Sequence, residues 1–563
     1  MMSAGTAVSG GYRLQSPALT RLSQGGTTRE DSVRVKGFRF HPAVVTSIQA
    51  AIQAACPRTP GCAARDYGHK PFSRQAKCLA AAHSRREFMA TKTKGAAMKL
   101  RSVDVEAALK KANEPAALAA RFHPFYQGKI EVSLKTPVRT FDDFAIWYTP
   151  GVAEPCREIA REPEAVYRLT NKWNNVAIVT DGTRVLGLGD IGPEAGLPVM
   201  EGKSLLFKFL GGVDAFPICL KTKDPDEIVE TVQRITPAFG GINLEDIAQP
   251  KCFDILARLR ETLEIPVWHD DQQGTATIVT GGVINAVKVV GKKLGDVSVA
   301  MVGAGASNVR TAYILMAAGV NPKHIVMTDS RGILNPSRTE LIDTYPEKWD
   351  LCLKTNGEAL AGGIPEAMAG ADVMIAASKP GPGVVRKEWV SGMADRAIVF
   401  TIANPVPEIW PWEAEAAGAA VVATGRSDFP NQVNNSLGFP GIFRGTLDVR
   451  AKTITDEMCL AAAHELARIA EEGGLRADRI VPTMEEEDVF SREAVAVGLK
   501  AIEQGIARVK RSRTELLERA RSIIRRARSQ ARLLMDEGFI LPPPGVPGRS
   551  RRKGKPRAGV RQR

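Results

Sequence analysis

Four carboxylates in two adjacent pairs give the sequence its first chemical signal. Glu245 and Asp246 follow one short apolar run, and Asp270 and Asp271 follow another. Such a pair is most often a solvated turn, but the ends of neighbouring parallel strands meet at one edge of a sheet. Clustered carboxylates repel one another unless a cation joins them, and oxygen ligands favour Mg²⁺ or Mn²⁺ over zinc. The two pairs therefore predict a site for a divalent metal ion.

Two further side chains have the chemistry of proton transfer. Lys203 is by default a surface residue that forms salt bridges, but a nearby metal ion would lower its pKa and make it a usable base. Tyr148 precedes a Pro-Gly turn, where its hydroxyl group is well placed to donate a proton. Tyr148 can also be a core residue. The sequence therefore leaves open whether Lys203 is a surface residue or a base, and whether Tyr148 is a core residue or a proton donor.

A glycine-rich loop gives the second chemical signal. Gly303, Gly305, Ala306 and Ser307 follow an apolar run and open a helical segment, with Asn308 where a third glycine or an alanine is usual. Such glycines let the backbone approach a pyrophosphate, and the N-terminus of the helix favours its negative charge. Without its context the loop is equally consistent with a plain tight turn.

An acidic residue follows this loop at the spacing of a ribose contact. Asp329 ends the next apolar run, 24 residues after Gly305, where a carboxylate would bind a ribose hydroxyl. Ser330 and Arg331 come directly afterwards and could accept a 2′-phosphate. The pattern predicts a dinucleotide cofactor and leaves NAD and NADP as alternatives.

Alternating strand-like and helix-like patterns supply the elements that hold these residues. They predict an α/β fold with parallel or mixed sheets, the second of them doubly wound. Two β-rich runs on either side of Asp181 and Gly182 predict a hairpin, and Asp224 is a plausible N-cap. We expect further strands at 215–220, 238–243, 265–268, 297–302, 325–328, 372–376, 397–402 and 420–423. We expect helices at 202–210, 225–235, 274–290, 307–318, 455–472 and 491–535.

The basic charge lies at the two ends of the chain rather than in its body. The 563 residues carry a formal net charge of +14. Residues 1–97 contribute +11 and residues 538–563 contribute +8, which leaves −5 for residues 98–537. Net charge therefore gives no support to a folded nucleic-acid-binding surface. No apolar run is long enough to span a bilayer, so we expect no membrane partner.

The composition of the two chain ends and the spacing of the cysteines bear on the cellular compartment of the protein. Residues 1–97 are rich in Arg, Ser, Gly and Ala, which is typical of translated upstream sequence, of an organellar transit peptide or of a disordered arm. Residues 538–563 are rich in Pro, Gly and Arg and are predicted to be disordered. The eight cysteines are scattered without zinc-site spacing. We expect a cytoplasmic protein, with organellar targeting as the alternative.

Several segments, in one order along the chain, resemble the malic enzyme family. The resemblance runs over about residues 100 to 510 and looks closest to the compact bacterial type. Nothing after residue 510 resembles the phosphotransacetylase-like domain that some bacterial members carry. The segments are 148–153 (YTPGVA), 180–189 (TDGTRVLGLG), 243–247 (NLEDI), 269–276 (HDDQQGTA), 403–405 (ANP), 434–435 (NN) and 439–441 (FPG).

The resemblance implies a domain organisation. Residues 98–283 would form the N-terminal α/β malic enzyme domain, with the catalytic and substrate-binding residues. Residues 284–510 would form a Rossmann-type, doubly wound NAD(P)-binding domain. A C-terminal helix would follow at 511–537, between the disordered or artefactual extension 1–97 and the basic tail 538–563.

The resemblance also implies residue roles. Tyr148 would be the general acid and Lys203 the general base, with Asp270 beside the lysine to tune it. The other implied site residues are Glu245, Asp246 and Asp271 for the metal, Arg184 for a malate carboxylate, Asn404 and Asn435 for the substrate and the nicotinamide region, and Gly303, Gly305, Ala306, Ser307 and Asp329 for the dinucleotide.

The implied function is the oxidative decarboxylation of L-malate to pyruvate and CO₂. It would need Mg²⁺ or Mn²⁺, would reduce NAD or NADP, and would be carried out by a homo-oligomer of at least two chains. A malolactic-type enzyme that keeps its NAD bound and a metal-free hydroxy-acid dehydrogenase are alternatives. A non-catalytic protein that binds nucleotides or nucleic acid is a third, from a different class.

Overall fold

The computed structural model describes residues 105–546, in which ten strands form two sheets. The predicted extension 1–97 and residues 547–563 of the predicted tail lie outside this range. The first sheet contains β1 Asn175–Thr180, β2 Asp214–Cys219, β3 Gly241–Leu244 and β4 Val267–His269. The second contains β5 Val299–Val302, β6 Ile325–Asp329, β7 Gly332–Ile333, β8 Val373–Ala376, β9 Ile398–Thr401 and β10 Val421–Thr424.

Helices cover the sheets and connect their strands. Those in the first half of the described chain are α1 Val105–Tyr126, α2 Asp143–Trp147, α3 Ala153–Arg161, α4 Val166–Leu169, α5 Pro193–Gly211, α6 Pro225–Ile235, α7 Lys251–Thr262 and α8 Asp270–Val289. Those in the second half are α9 Ala306–Ala318, α10 Leu341–Thr344, α11 Pro346–Lys354, α12 Ile364–Met368, α13 Lys387–Ser391, α14 Pro411–Ala416, α15 Phe439–Asp448, α16 Asp456–Glu472, α17 Val489–Glu503 and α18 Arg513–Asp536. The predicted N-cap of α6 is confirmed, because the Asp224 side chain accepts hydrogen bonds from two backbone N–H groups of the first turn.

The first sheet has the strand order β2-β1-β3-β4, and all its pairings are parallel. The predicted hairpin around Asp181 and Gly182 is therefore wrong. Val185 forms only an isolated bridge with Gly189. The carboxylate of Asp181 accepts hydrogen bonds from the backbone N–H and the hydroxyl group of Thr183, and these bonds close a tight turn instead of a hairpin. The second β-rich run thus becomes a loop at the carboxyl edge of the sheet.

The second sheet has the strand order β10-β9-β8-β5-β6-β7, with only β7 antiparallel to its neighbour. Counted within the sheet, this is the 3-2-1-4-5-6 order of a doubly wound dinucleotide fold. Its strands β5, β8, β9 and β10 are four-residue apolar runs buried along their whole length, as expected when helices cover both faces. The predicted fold class is confirmed, and the crossover point lies between β5 and β8.

Two helix predictions need correction at their boundaries. The predicted helix 491–535 is two helices, because α17 ends near Gly505, whose φ is +72°, and Ser512 caps α18 in a capping box with Glu515. The predicted helix 274–290 begins four residues earlier, so that Asp270 and Asp271 lie in the first turn of α8. That early start fixes the direction of both carboxylates.

The predicted domain limits stay predictions. The limit between 283 and 284 falls inside α8. The first residues of the predicted tail contact α1, where the Tyr126 hydroxyl donates to the Leu541 carbonyl at 2.6 Å and Arg121 donates to the Pro544 carbonyl at 3.0 Å. Within residues 105–546, none of the helices is long and apolar enough to cross a membrane.

Aromatic packing joins α5 to α15 beneath the first sheet. The ring of Phe443 on α15 lies 5.1 Å from that of Phe207 on α5 and 6.3 Å from that of Trp268 on β4. All three side chains are fully buried. Because α15 comes late in the chain and β4 early, this cluster fixes distant segments against each other.

Replacement of Phe443 by alanine should destabilise the protein markedly. The change leaves a cavity among close-packed rings, which typically costs about 3–5 kcal/mol of unfolding free energy. Denaturant unfolding followed by tryptophan fluorescence would measure the loss. Phe539, which is 78% exposed, gives the matched control, and equal stabilities of Phe443→Ala and Phe539→Ala would contradict the packing role.

Candidate active site

The two carboxylate pairs meet at the carboxyl edge of the first sheet. Glu245 and Asp246 follow β3, and Asp270 and Asp271 follow β4, which is the neighbour of β3. One oxygen from each of Glu245, Asp246 and Asp271 lies within 4.8 Å of the others. The parallel pairing of β3 and β4 thus brings together the three residues predicted as metal ligands.

The backbone around Asp246 is shaped to present its carboxylate. Its φ of +54° lies in the left-handed region, which aspartate tolerates better than most residues. Its N–H donates to Asp271 Oδ2 at 2.8 Å, and its Oδ1 accepts from the Leu186 N–H at 3.3 Å. Its Oδ2 is buried and has no hydrogen-bond partner among the described residues. An unpaired buried carboxylate oxygen beside two other carboxylates fits a hard divalent cation.

Burial and mutual repulsion control the charge of this cluster. Burial raises the pKa of Asp246 to about 7, and the negative charge of Asp271 adds to the effect. Burial also raises the pKa of Glu245 well above its ordinary value, although the positive charge of Lys203 opposes this. Glu245 and Asp246 therefore lack sufficient positive charge around them, which is the deficit that a divalent cation would fill. Asp271 differs, because His269 Nε2 lies 3.2 Å from its Oδ2 and outweighs burial, so that the pKa of Asp271 is lowered.

Lys203 points from α5 into the carboxylate cluster and is only 7% exposed. Its Nζ lies 2.9 Å from Glu245 Oε1 and also donates to Asp270 Oδ2. Burial alone would lower its pKa, but the charges of Asp270 and Glu245 outweigh burial and raise it above the ordinary value. The lowering of this pKa by a neighbouring metal ion stays a prediction, since the protein groups by themselves surround the ammonium with negative charge.

Asp270 is fixed on three sides. Its Oδ1 accepts from Trp268 Nε1 at 3.0 Å, and its Oδ2 accepts from Asn435 Nδ2 at 2.5 Å as well as from Lys203. Gly274, one turn further along α8, leaves the room for this arrangement, because a Cβ there would collide with Asp270 Oδ1. The sequence predicted that Gly274 begins the helix. The structure shows instead that the site needs a residue without a side chain at this position.

A cavity of about 510 Å³ joins this cluster to the glycine-rich loop. The predicted site residues that line it are Arg184, Lys203, Glu245, Asp246, Asp271, Gly305, Ala306, Ser307, Asn404 and Asn435. Sequence reasoning did not single out Gln249, Thr275 and Ser378, which also line it. Thr275 lies in the segment 269–276 but was given no role, and no local pattern marks Gln249 or Ser378, because only the meeting of the two sheets places them there.

The glycine-rich loop has the geometry of a close backbone approach. Gly303 has a φ of +96°, and a Cβ at this position would lie 2.8 Å from the Ala377 carbonyl oxygen. Asn308, which replaces the usual third glycine, is fully buried and donates from Nδ2 to the Gly303 carbonyl at 2.8 Å and to the Val302 carbonyl at 3.2 Å. The side-chain amide of Asn308 therefore stabilises the loop by binding two of its backbone carbonyl groups.

Asp329 is engaged by residues that the sequence pattern did not indicate. Arg338 donates to both of its carboxylate oxygens at 3.1 Å, and Lys348 Nζ lies 3.6 Å away. Arg331, which was the expected partner of a 2′-phosphate, contributes only its backbone N–H to Asp329, while its side chain is largely exposed. Arg338, which follows β7, and Lys348 on α11 thus bring two positive charges to Asp329 at the end of β6.

Tyr148 does not lie in the cavity. It follows α2, its side chain is 71% exposed, and it is not among the lining residues. Within one chain the structure therefore separates Tyr148 from Lys203 and the carboxylates.

Fold and site together define a class of two-sheet α/β proteins that pair a dinucleotide-type sheet with a carboxylate metal cluster. The family model for the malic enzyme N-terminal domain matches residues 127–260, and that for the malic enzyme NAD-binding domain matches residues 272–502. The chain belongs to the malic enzyme family.

Individual relatives agree with this assignment. The chain is 51% identical over 381 residues to an NAD-dependent malic enzyme of Geobacillus stearothermophilus, covering 68% of this chain and 78% of that protein. It is 47% identical over 405 residues to a bifunctional malic/malolactic enzyme of Bacillus subtilis, covering 72% and 97%. The crystal structure of the Entamoeba histolytica malic enzyme superposes with a TM-score of 0.77 at 47% identity, covering 78% and 92%.

Removal of one carboxylate of the cluster should weaken metal binding. Asp271→Asn takes away one negative ligand, and we expect the affinity for Mn²⁺ to fall by at least about tenfold. Titration followed by electron paramagnetic resonance would measure free Mn²⁺ directly. Asp254→Asn on α7, which changes an exposed aspartate of the same charge, is the control. Equal Mn²⁺ affinities in the two variants would remove Asp271 from the metal site.

Proposed function

We propose that this protein catalyses the oxidative decarboxylation of L-malate to pyruvate and CO₂ with reduction of NAD or NADP. The observation that carries the proposal is the buried Lys203, whose amine lies 2.9 Å from Glu245 in the cavity that also contains Gly305 of the glycine-rich loop. A base, a cluster of metal ligands and a dinucleotide loop in one cavity are the parts that oxidation of a hydroxy acid requires.

The proposed roles follow from what each side chain contacts. Lys203 accepts the proton of the C2 hydroxyl group at Nζ, and Asp270 holds that amine in position. Arg184, which lines the cavity, binds a carboxylate of malate. Glu245, Asp246 and Asp271 would hold Mg²⁺ or Mn²⁺, which would polarise the substrate oxygens and offset the negative charge around the lysine.

Residues at the other side of the cavity would position the substrate and the cofactor. Asn435 donates to Asp270 and lines the cavity beside Asn404, so both amides can contact the substrate and the nicotinamide region. Gly303, Gly305, Ala306 and Ser307 would bind the pyrophosphate with backbone N–H groups at the start of α9. Asp329 would lie near the adenine-side ribose. Because Arg338 and Lys348 accompany it, the choice between NAD and NADP needs parallel assays.

Replacement of Lys203 tests this proposal most directly. Lys203→Ala should lower kcat for malate oxidation by about 10²–10⁴-fold, because it removes the general base. The assay follows reduced dinucleotide and pyruvate with L-malate and Mn²⁺, with NAD and NADP in parallel. Lys221→Ala, at an exposed position, is the control. Near-wild-type turnover of a folded Lys203→Ala variant would refute the role of the lysine.

The same assay decides between the proposed reaction and the malolactic alternative. One relative at 47% identity is named a bifunctional malic/malolactic enzyme, so lactate deserves a direct measurement. Pyruvate formed in equal amount to reduced dinucleotide supports oxidative decarboxylation. Lactate formed without net reduced dinucleotide would support the malolactic reaction.

We further propose that the protein is a homo-oligomer of at least two chains and that a second copy supplies Tyr148. Around Tyr148, residues 141–152 expose an unusual amount of apolar surface, with Phe141 at 88% and Ile146 at 58% exposure. Surfaces of this kind mark association sites. A twofold pairing would bury them, and the tyrosine of each chain could then reach the cavity of the other as the general acid.

Mixed variants test this arrangement. Tyr148→Phe and Lys203→Ala should each lose most turnover, whereas a refolded equal mixture should regain about a quarter of wild-type activity. Half of randomly formed dimers contain one chain of each kind, and each such dimer has one intact site. A mixture no more active than its two components would show that Tyr148 acts within its own chain or not at all.

A cytoplasmic location is also proposed. The five cysteines within residues 105–546 are all unpaired, which supports a reducing compartment. Subcellular fractionation of the source cells, with an antibody against the protein, would test it against organellar targeting.

A further inference from the structure

A second cavity of about 430 Å³ lies on the opposite side of α5 from the active site. Segment 130–135, the edge strand β2, α5 and α18 form its walls, and none of its lining residues lines the active-site cavity. Its volume is in the range of small-molecule pockets. Its apolar lining includes Ile130, Val132, Leu134, Trp173, Phe216 and Ile523.

Positive charge converges on this cavity. Lys135, Lys208 and Arg526 line it, together with the acids Glu131 and Asp214. Burial lowers the pKa of Lys135, and the positive charges of Arg526 and Lys208 lower it further against the opposing effect of Asp214. The positive charges of Arg526 and Lys208 therefore both act on Lys135.

The one carboxylate that acts on Lys135 is already engaged elsewhere. Asp214 accepts from Lys208 at 2.6 Å and from the amides of Asn171 and Asn174 at 3.0 and 2.7 Å. Among residues 105–546, no carboxylate lies within 4.0 Å of Lys135 or Arg526, and Glu131 forms no ion pair. Two positive side chains at the cavity are thus left without an anionic partner.

An aromatic surface lies directly beside one of these cations. Lys135 Nζ is 5.0 Å from the ring centre of Trp173 and donates to Asn171 Oδ1 at 2.9 Å. Gln530 on α18 donates to Ser133 Oγ at 3.0 Å and holds segment 130–135 over the cavity. The walls therefore combine a flat apolar face with an adjacent positive group.

We propose that this cavity binds a small organic anion, with its anionic group at Lys135 and Arg526 and its apolar part against Trp173 and Phe216. Carboxylate and phosphate groups share the required chemistry. Helix α5 carries Lys203 toward the active site and Ser204 and Lys208 toward this cavity, so a bound anion would contact the helix that holds the proposed base. The site goes beyond the proposed reaction and does not depend on it.

Fluorescence titration with 1-anilinonaphthalene-8-sulfonate tests the proposal, because this probe joins a sulfonate to aromatic rings. Arg526→Ala and Lys135→Ala should each weaken probe binding by about three- to fivefold, the effect of one partly exposed charge. Arg525→Ala is the matched control, because Arg525 neighbours Arg526 on α18 but does not line the cavity. Equal probe affinities in Arg525→Ala and Arg526→Ala, or no probe binding by the wild type, would overturn the proposal.

Competition identifies the anionic group. Inorganic phosphate or acetate should displace the probe more strongly than sodium chloride at the same ionic strength. Whichever of phosphate and acetate displaces more probe shows whether the site prefers a phosphate or a carboxylate group. Displacement no greater than that by sodium chloride would overturn the proposal. Unchanged circular dichroism spectra and an unchanged kcat with L-malate would show that Arg526→Ala and Lys135→Ala are folded. The measured probe affinities test the cavity whether or not malate is the substrate.

Discussion

The charge balance around one buried lysine is the constraint on which the rest of the site depends. Lys203 is surrounded by Asp270 and Glu245, and two further carboxylates lie beside Glu245. A buried ion pair is tolerated only when its geometry is good and its remaining polar atoms are satisfied. Here burial raises the pKa values of Glu245 and Asp246 despite the nearby ammonium, whereas His269 outweighs burial and lowers the pKa of Asp271. The two carboxyl groups with raised pKa values are the part of the cluster that a divalent cation would stabilise.

Both sheets contribute to holding this balance. The first sheet aligns the acids because β3 and β4 are parallel neighbours. Asn435 follows the last strand of the second sheet and donates to Asp270, so one carboxylate is bonded to residues from both halves of the described chain. A change in the position of the second sheet would therefore alter the environment of the lysine.

Local patterns predicted the parts of the site that local chemistry decides. The acid pairs after short apolar runs, the glycine-rich loop before α9 and the N-cap Asp224 depend on neighbouring residues alone. The hairpin failed because β1 finds parallel partners far along the chain, and a β-rich run cannot reveal that competition. The ion pair of Asp329 with Arg338 was missed for the same reason, since β7 and the turn after it return the arginine to the end of β6. Gln249 and Ser378 carry no signal except their position.

The exposure of Tyr148 fits the proposal that a second chain completes the active site. Oxidation of the hydroxyl group needs a base in a buried, charge-balanced position, whereas the later protonation needs an acid that does not disturb that balance. A tyrosine placed among four carboxylates would have its own proton affinity raised and would compete with Lys203 for hydrogen bonds. Supply of the acid from a neighbouring chain would keep the two groups on separate elements and bring them together only in the oligomer. In that arrangement the apolar surface around Tyr148 would serve stability and catalysis at once, because its burial would deliver the tyrosine.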